Sequence, residues 1–231
     1  MKIGVIADIH GNQYAFNEVL KSATALGIRK LLVLGDIVGY YYRPEVILEA
    51  LSEWSYEIIK GNHEDILKAL YENKIDSKSL KEKYGSGHEM ALKNIDDEKL
   101  KWLFSLPSQK DVVIDGVSFQ LNHGSPNNID EYIYPDASIE KLDECNSDVH
   151  DFVLIGHSHY SFIHKCKNSI LINCGSVGQS RQKGGVANWA IINTSDKSYE
   201  IIHTPYNTAH LIKDVKLIDP ENEYSYKVLE R

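Results

Sequence analysis

Cysteine is scarce in this chain: three residues, Cys145, Cys166 and Cys174, with no CxxC spacing. An odd count without paired spacing argues against a disulfide framework or a zinc ribbon and favours a reducing compartment. Proline (6) and glycine (15) are too few among 231 residues for a collagen-like or low-complexity chain. No apolar run approaches the roughly 18 residues that a membrane-spanning helix needs. The first apolar run, Lys2–Ala7, is stopped by Asp8 and is too short for a secretory signal. A cytoplasmic protein is therefore expected. Positive charge is also limited, with 25 Lys+Arg against 33 Asp+Glu and a net charge of −8. Coating a phosphate backbone requires clustered Lys and Arg, so nucleic acid is not an expected partner. The nucleophile elbow GxSxG, the P-loop and the GxGxxG fingerprint are all missing.

What remains is a globular composition, 42% hydrophobic and 25% charged. Area scaling has a chain of this size burying roughly 70% of its unfolded surface, enough for a core without cross-links. With no repeat or linker, a single domain over residues 1–231 is expected. Lys2–Ala7, Lys30–Leu34 and Tyr56–Lys60 read as buried parallel strands. Gln13–Leu26 carries a helical apolar face with Asn12 as N-cap, and Pro44 opens a second helix over Glu45–Leu51. Together they form a β-α-β-α-β unit. Asp65–Ser105 reads as helical, closed by Pro107. Val112–Ile114 and Val117–Leu121 form a hairpin about Asp115-Gly116. A helix at 136–144 follows, then strands at Phe152–Ile155, Ser161–His164, Ile170–Asn173, Trp189–Asn193 and Glu200–His203, and a partly helical tail from Ala209. Parallel βα units followed by mostly antiparallel strands imply an α/β fold of two packed sheets with helices outside.

The chemistry-bearing residues stand at strand ends: Asp8-Ile9-His10-Gly11-Asn12, Gly35-Asp36, Gly61-Asn62-His63-Glu64, Asn122-His123-Gly124 and Gly156-His157-Ser158-His159. Loops at the carboxyl edge of a parallel sheet converge on one crevice. Asp8 and His10 are two apart, as are His157 and His159, so in an extended segment each pair points one way and can grip a metal. Two Asp, four His and one Asn with no thiolate suit divalent Mn, Fe, Zn or Ni.

These five motifs, with Gly35–Tyr40, Asn122–Pro126 and Gly175–Arg181 around them, resemble the calcineurin-like metallophosphoesterase superfamily, in particular its small single-domain bacterial and archaeal phosphodiesterases. The resemblance covers roughly residues 2–206 and implies a four-layer α/β/β/α sandwich, two mixed sheets flanked by helices. It implies two divalent ions, Mn first among the candidates, with Asp8, His10 and His159 on one, Asn62, His123 and His157 on the other, and Asp36 bridging. Such a pair shares a water and delivers hydroxide to phosphorus. His63 would stabilise or protonate the leaving oxygen, a role that an ordinary histidine pKa near 6.5 suits. Asn12 would either donate to a phosphate oxygen or only cap its helix. Arg181 would reach a substrate phosphate or make a structural salt bridge.

The expected function is hydrolysis of small nucleotide-like phosphodiesters, with phosphomonoesters or dinucleoside polyphosphates as alternatives. A non-enzymatic protein scaffold is the contrasting reading, which the complete ligand set disfavours. A homodimer is a common arrangement in such relatives. Relatives tend to carry Gly-Pro-Asp-Pro where this chain has Tyr-Tyr-Arg-Pro after Tyr40. Tyr40, Tyr41 and Tyr42 read as tyrosines packed under a loop, the alternative being a stacking surface for a nucleobase. His88, His150, His164, His203 and His210 read as packing or surface residues.

Overall fold

The computed structural model describes all 231 residues. In chain order the elements are β1 (Lys2–Ile6), α1 (Gln13–Ala25), β2 (Lys30–Val33), α2 (Pro44–Ser52), β3 (Ser55–Ile58), α3 (Asn62–Tyr71), α4 (Ser77–Tyr84), α5 (Gly87–Asn94) and α6 (Asp97–Ser105). They continue with β4 (Gln109–Ile114), β5 (Val117–Asn122), α7 (Ile139–Asp143), β6 (Phe152–Ile155), β7 (Ser161–Lys165) and β8 (Ile170–Cys174). Last come β9 (Val186–Asn193), β10 (Ser198–Pro205), α8 (Ala209–Ile218), α9 (Glu223–Lys227) and a 3-10 turn, Val228–Glu230. No helix is long and apolar enough to cross a membrane.

Two five-stranded sheets result, ordered β10-β9-β1-β2-β3 and β4-β5-β6-β8-β7. In the first, β1, β2 and β3 are parallel and the β9–β10 hairpin adds antiparallel to β1. In the second, β5, β6 and β8 are parallel, with β4 and β7 as antiparallel edges. Three apolar layers hold the stack. Ile3, Val5, Leu32 and Leu34 meet Phe119, Leu121, Phe152 and Ile172 between the sheets. Alternate residues Ile6, Leu31 and Val33 face α1, α2, α3, α5 and α6. On the far side Val153, Ile155 and Leu171 pack on Leu142 of α7. This is the expected four-layer α/β/β/α arrangement.

Local chemistry sets several boundaries. The β4–β5 turn needs two residues with positive φ, and Asp115 (51°) and Gly116 (78°) supply them. The stretch expected to be helical from Asp65 is divided among four helices. It is interrupted by Asp76 and Asp96, whose side chains cap α4 and α6, and by Gly85 at φ 75°. It also starts earlier than expected, so that Asn62, His63 and Glu64 form the first turn of α3. The tail is helical as expected. Leu211, Val215, Val228 and Leu229 close over Tyr40, Tyr41 and Tyr42, which are 6%, 0% and 3% exposed. Those tyrosines are core, as the packing reading held.

The sheet–sheet layer centres on Phe119, stacked on Phe152 at 5.5 Å and fully buried. Phe119→Ala is expected to lower unfolding free energy by about 3–5 kcal/mol, read from urea denaturation. A loss under about 1 kcal/mol would show that the two sheets close over the gap.

Candidate metal centre

Every sequence-predicted ligand reaches one place. Asp8, His10, Asp36, His123, His157 and His159 are 0–4% exposed there, and Asn62 stands half-buried at the edge. The backbone explains how. Asp8, His10, Asp36, His157 and His159 all have φ between 51° and 62°. Non-glycine residues take this left-handed conformation at a cost, and they persist in it only where surrounding bonds hold them.

Those bonds are visible. His157 N–H donates to Asp8 Oδ2 (2.9 Å) and His63 N–H to Asp36 Oδ1 (2.8 Å). Each aspartate thus has one oxygen fixed by a neighbouring motif and one free for the centre. The Gly175–Arg181 segment braces the first motif: Val177 and Gly178 N–H donate to the carbonyls of Ala7 and Asp8, and Ser176 Oγ donates to Asp8 O. Gly35 lies so close to the next motif that a Cβ there would strike the backbone of Gly61.

The free atoms crowd together. His10 Nδ1 lies 2.9 Å from Val38 O, His123 Nδ1 2.7 Å from Leu34 O and His159 Nδ1 2.7 Å from Gln179 O. A carbonyl only accepts, so each Nδ1 carries the proton and each Nε2 is left facing inward. His10 Nε2 is 3.1 Å from His159 Nε2, and His159 Nε2 is 3.4 Å from Asp8 Oδ1, which has no hydrogen-bond partner. His123 Nε2 is 3.1 Å from Asn62 Oδ1, 3.2 Å from His157 Nδ1 and 3.3 Å from Asp36 Oδ2. Two donor groups made only of predicted ligands emerge, Asp8–His10–His159 and Asp36–His123–His157, with His10–Asp36–His63 overlapping them and a separate, more exposed group at Asp143, His164 and Cys166. Asp36 stands between the first two, its Oδ2 3.7 Å from His10 Nε2.

Electrostatics tell the same story. Burial opposes charge on His123, but the Asp36 and Asp8 carboxylates outweigh it and hold the imidazole at about 10. Burial pushes His10 well below 6.5, helped by His159, and brings His157 down to about 4. Burial raises Asp8, yet His159, His123 and His10 pull it well below the carboxylate range. Acceptors packed around an orphaned carboxylate oxygen fit divalent cations: nitrogen and oxygen donors, no thiolate.

His63 is buried beside the ligands, its ring 4.8 Å from that of His10 and edge-on to it. It also lies within ligand distance of His10 and Asp36, so geometry alone does not separate it from the ligands. Its pKa is driven well below 6.5 by burial, then by His10 and His88. At neutral pH the ring is uncharged in the metal-free chain, not near its titration point as the sequence reading supposed. Gly39, at φ 97°, presses against it, and a Cβ there would overlap the His63 ring.

Asn12 is fully engaged elsewhere. Its Oδ1 accepts from Ala15 N–H as an N-cap, and its Nδ2 donates to Gly178 O (2.7 Å) and Tyr206 Oη (3.2 Å). The capping alternative is the one realised, and no free amide hydrogen remains for a phosphate. Arg181 makes no ion pair, and its buried Nε has no partner. Its guanidinium lies 5.9 Å from the Tyr132 ring, so the salt-bridge alternative is absent.

Two residues escaped the sequence reading. His88 is fully buried and stacked on His63 at 5.0 Å and 11°, with Nε2 3.1 Å from His63 Nδ1. Burial brings its pKa down to about 4. It packs, as expected, but against the candidate catalytic ring. No motif marks it, because α5 approaches the site only through the fold. Glu64 stands in the motif Gly61-Asn62-His63-Glu64, where the sequence pattern alone gives it no role. Its carboxylate accepts from the N–H groups of Gly61 (2.7 Å), Asp36 (2.9 Å) and Ile37 (2.8 Å), tying two motifs together. Burial, then Asp36, pushes it up to about 7.

Buried carboxylates and imidazoles converging at the strand ends of two stacked mixed sheets define a metal-binding α/β sandwich. The sequence pattern of the calcineurin-like phosphoesterase superfamily domain matches residues 1–197, and the chain belongs to that superfamily of metal-dependent phosphoric ester hydrolases. The uncharacterized protein MJ0912 of Methanocaldococcus jannaschii is 31% identical over 223 residues, 89% of this chain and 88% of that one. Two crystal structures share the fold. The hypothetical protein PH1004 of Pyrococcus horikoshii has a TM-score of 0.81 at 21% identity, covering 99% of this chain and 97% of that one. A metallophosphoesterase from Sphaerobacter thermophilus has a TM-score of 0.76 at 24% identity, covering 100% and 99%.

Glu64→Gln turns an amide NH2 toward backbone N–H donors. It is expected to weaken divalent metal binding by about 10- to 100-fold, the usual scale for groups that orient ligands, as read by calorimetric titration of metal-free protein with Mn(II). Unchanged affinity would mean that the two motifs keep their shape without this carboxylate.

Proposed function

We propose that this chain is a dinuclear metal-dependent phosphodiesterase for small, nucleotide-like diesters. The observation that carries the reading is the pair of donor groups meeting at Asp36, with one carboxylate oxygen of Asp8 left unsatisfied. Asp8, His10 and His159 would hold one ion, Asn62, His123 and His157 the second, and Asp36 both. Manganese is proposed, a metal that a nitrogen and oxygen set accepts. When bound, such a pair acidifies water and offsets the charge that builds on phosphoryl oxygens.

His63 presents a neutral imidazole beside these ligands. When the proton between the two rings sits on His88 Nε2, His63 Nδ1 accepts that hydrogen bond. The N–H on the other nitrogen of His63 would then donate a hydrogen bond to the departing oxygen and stabilise its charge without a full proton transfer. His88 is then a positioning residue, setting the tautomer as a second partner does for a metal-bound histidine. Arg181, unpaired and partly buried, offers a planar donor fork to a phosphoryl oxygen.

The surroundings favour diesters over monoesters. Tyr132 and Tyr224, both exposed, stand near Arg181, giving apolar surface for a second ester substituent and little cationic surface for a dianion.

Metal-stripped protein is expected to regain cleavage of bis-p-nitrophenyl phosphate when two equivalents of Mn(II) are restored, and to cleave p-nitrophenyl phosphate more slowly. A monoester preference would transfer the chain to the phosphomonoesterases, and inactivity with Mn, Ni or Zn would favour the scaffold reading.

His63→Ala is expected to lower kcat by on the order of 10²-fold while metal content stays at the wild-type level. Loss of metal in that variant would make His63 a ligand instead.

A further inference from the structure

The tyrosines that the sequence offered as a stacking surface are core, but another pair is exposed at the site. Residues 123–138 link β5 to α7, and within them residues 131–134 have no regular structure. Ile133 is 1% exposed and sinks into the layer under α7, pinning this stretch. Its neighbours Tyr132 and Tyr134 turn outward, 46% and 39% exposed, with rings parallel within 7° and 5.9 Å apart. Residues two apart in an extended segment share a face. Tyr132 lies 4.0 Å from the His157 ring, and Tyr134 meets Tyr160 edge-on at 5.7 Å. The Arg181 guanidinium, free of any carboxylate, stands 5.9 Å from Tyr132.

Single exposed aromatics are ordinary on a protein surface. Two parallel rings beginning over a candidate metal ligand, with an unpaired arginine alongside, are a built arrangement. We propose that Tyr132 and Tyr134 form a shelf on which the base of a nucleoside phosphate stacks, while Arg181 holds the phosphate toward the metal pair. The proposal rests on the phosphodiesterase reading for its place in a reaction, though not for its binding. Stacking on phenol faces tolerates any base, so the shelf selects for an aromatic substituent and not for a base identity.

The test is calorimetric titration of Mn(II)-loaded protein with adenosine 5′-monophosphate and, separately, ribose 5-phosphate, which lacks the ring. Wild type is expected to bind the nucleotide at least about tenfold more tightly, the scale of one base–aromatic stack. Tyr132→Leu and Tyr134→Leu, each keeping apolar bulk, should bring that ratio toward one, and Tyr134→Phe should restore it. Arg181→Leu should weaken both ligands by a similar factor. Equal affinities in wild type, failure of both ligands to bind, or a ratio untouched by both leucine variants would overturn the shelf. Diester hydrolysis is assayed separately. A base advantage without hydrolysis would sink the phosphodiesterase and leave the shelf standing, and hydrolysis without the advantage would do the reverse.

Discussion

Three imidazoles give their Nδ1 protons to the main-chain carbonyls of Val38, Leu34 and Gln179, and from this the rest of the site follows. Each ring then turns an Nε2 toward the others and toward two carboxylates, a set of acceptors with little to accept. The Asp36 and Asp8 carboxylates accordingly hold the His123 imidazole well above its ordinary pKa. Placing such groups together is unfavourable unless positive charge joins them, because buried lone pairs without donors keep their full desolvation cost. Backbone carbonyls therefore hold the molecule in a state that cations complete.

The sandwich makes that state affordable. β1, β2 and β3 come from one sheet, β5 and β6 from the other, and all end at the same edge of the stack. A stiff apolar layer between the sheets fixes the distance between the two sets of loops. Within the loops, the left-handed turns at five candidate ligand positions are tied to other segments: Asp8 to His157, Asp36 to His63, His10 to Val38 and His159 to Gln179, while Glu64 joins its motif to the loop after Asp36. No motif is rigid alone. Each borrows its conformation from a neighbour distant in sequence.

This mutual dependence explains what could be read from sequence and what could not. The candidate ligands were legible because strand ends are a local pattern, although Asp8, His10, His157 and His159 converge through left-handed turns and not through the extended i, i+2 geometry expected of them. The Asp115-Gly116 turn was legible because its φ values need those residue types. Asn12 stayed ambiguous, since the same amide caps a helix or binds an anion, and only Gly178 and Tyr206 show how it is used. His88 carried no local sign: an imidazole on a short helix meets His63 through the packing of α5. Tyr40–Tyr42 and Tyr132–Tyr134 were equally aromatic in sequence. What separates them is a cover of helices over the first set and the anchor of Ile133 beneath the second. Helix ends were blurred between Asp65 and Ser105 because capping aspartates interrupt one apolar pattern without erasing it.

The cover over Tyr40–Tyr42 has a consequence of its own. The superfamily pattern ends at residue 197, yet α8, α9 and the 3-10 turn, all beyond it, pack on the loop that carries Tyr40–Tyr42. Tyr41 Oη donates to Ser225 O, and Tyr42 Oη to Asp219, across that contact. The loop tyrosines and the C-terminal helices are thus two halves of one joint. A relative given only the tyrosines would expose them to water, and one given only the helices would have nothing to seat them. The same joint reaches the centre through Tyr40, whose ring lies edge-on to His10 at 4.8 Å. The packing beside the candidate metal centre is in this way built in part from the far end of the chain, so the two regions are expected to change together as sequences of this kind diverge.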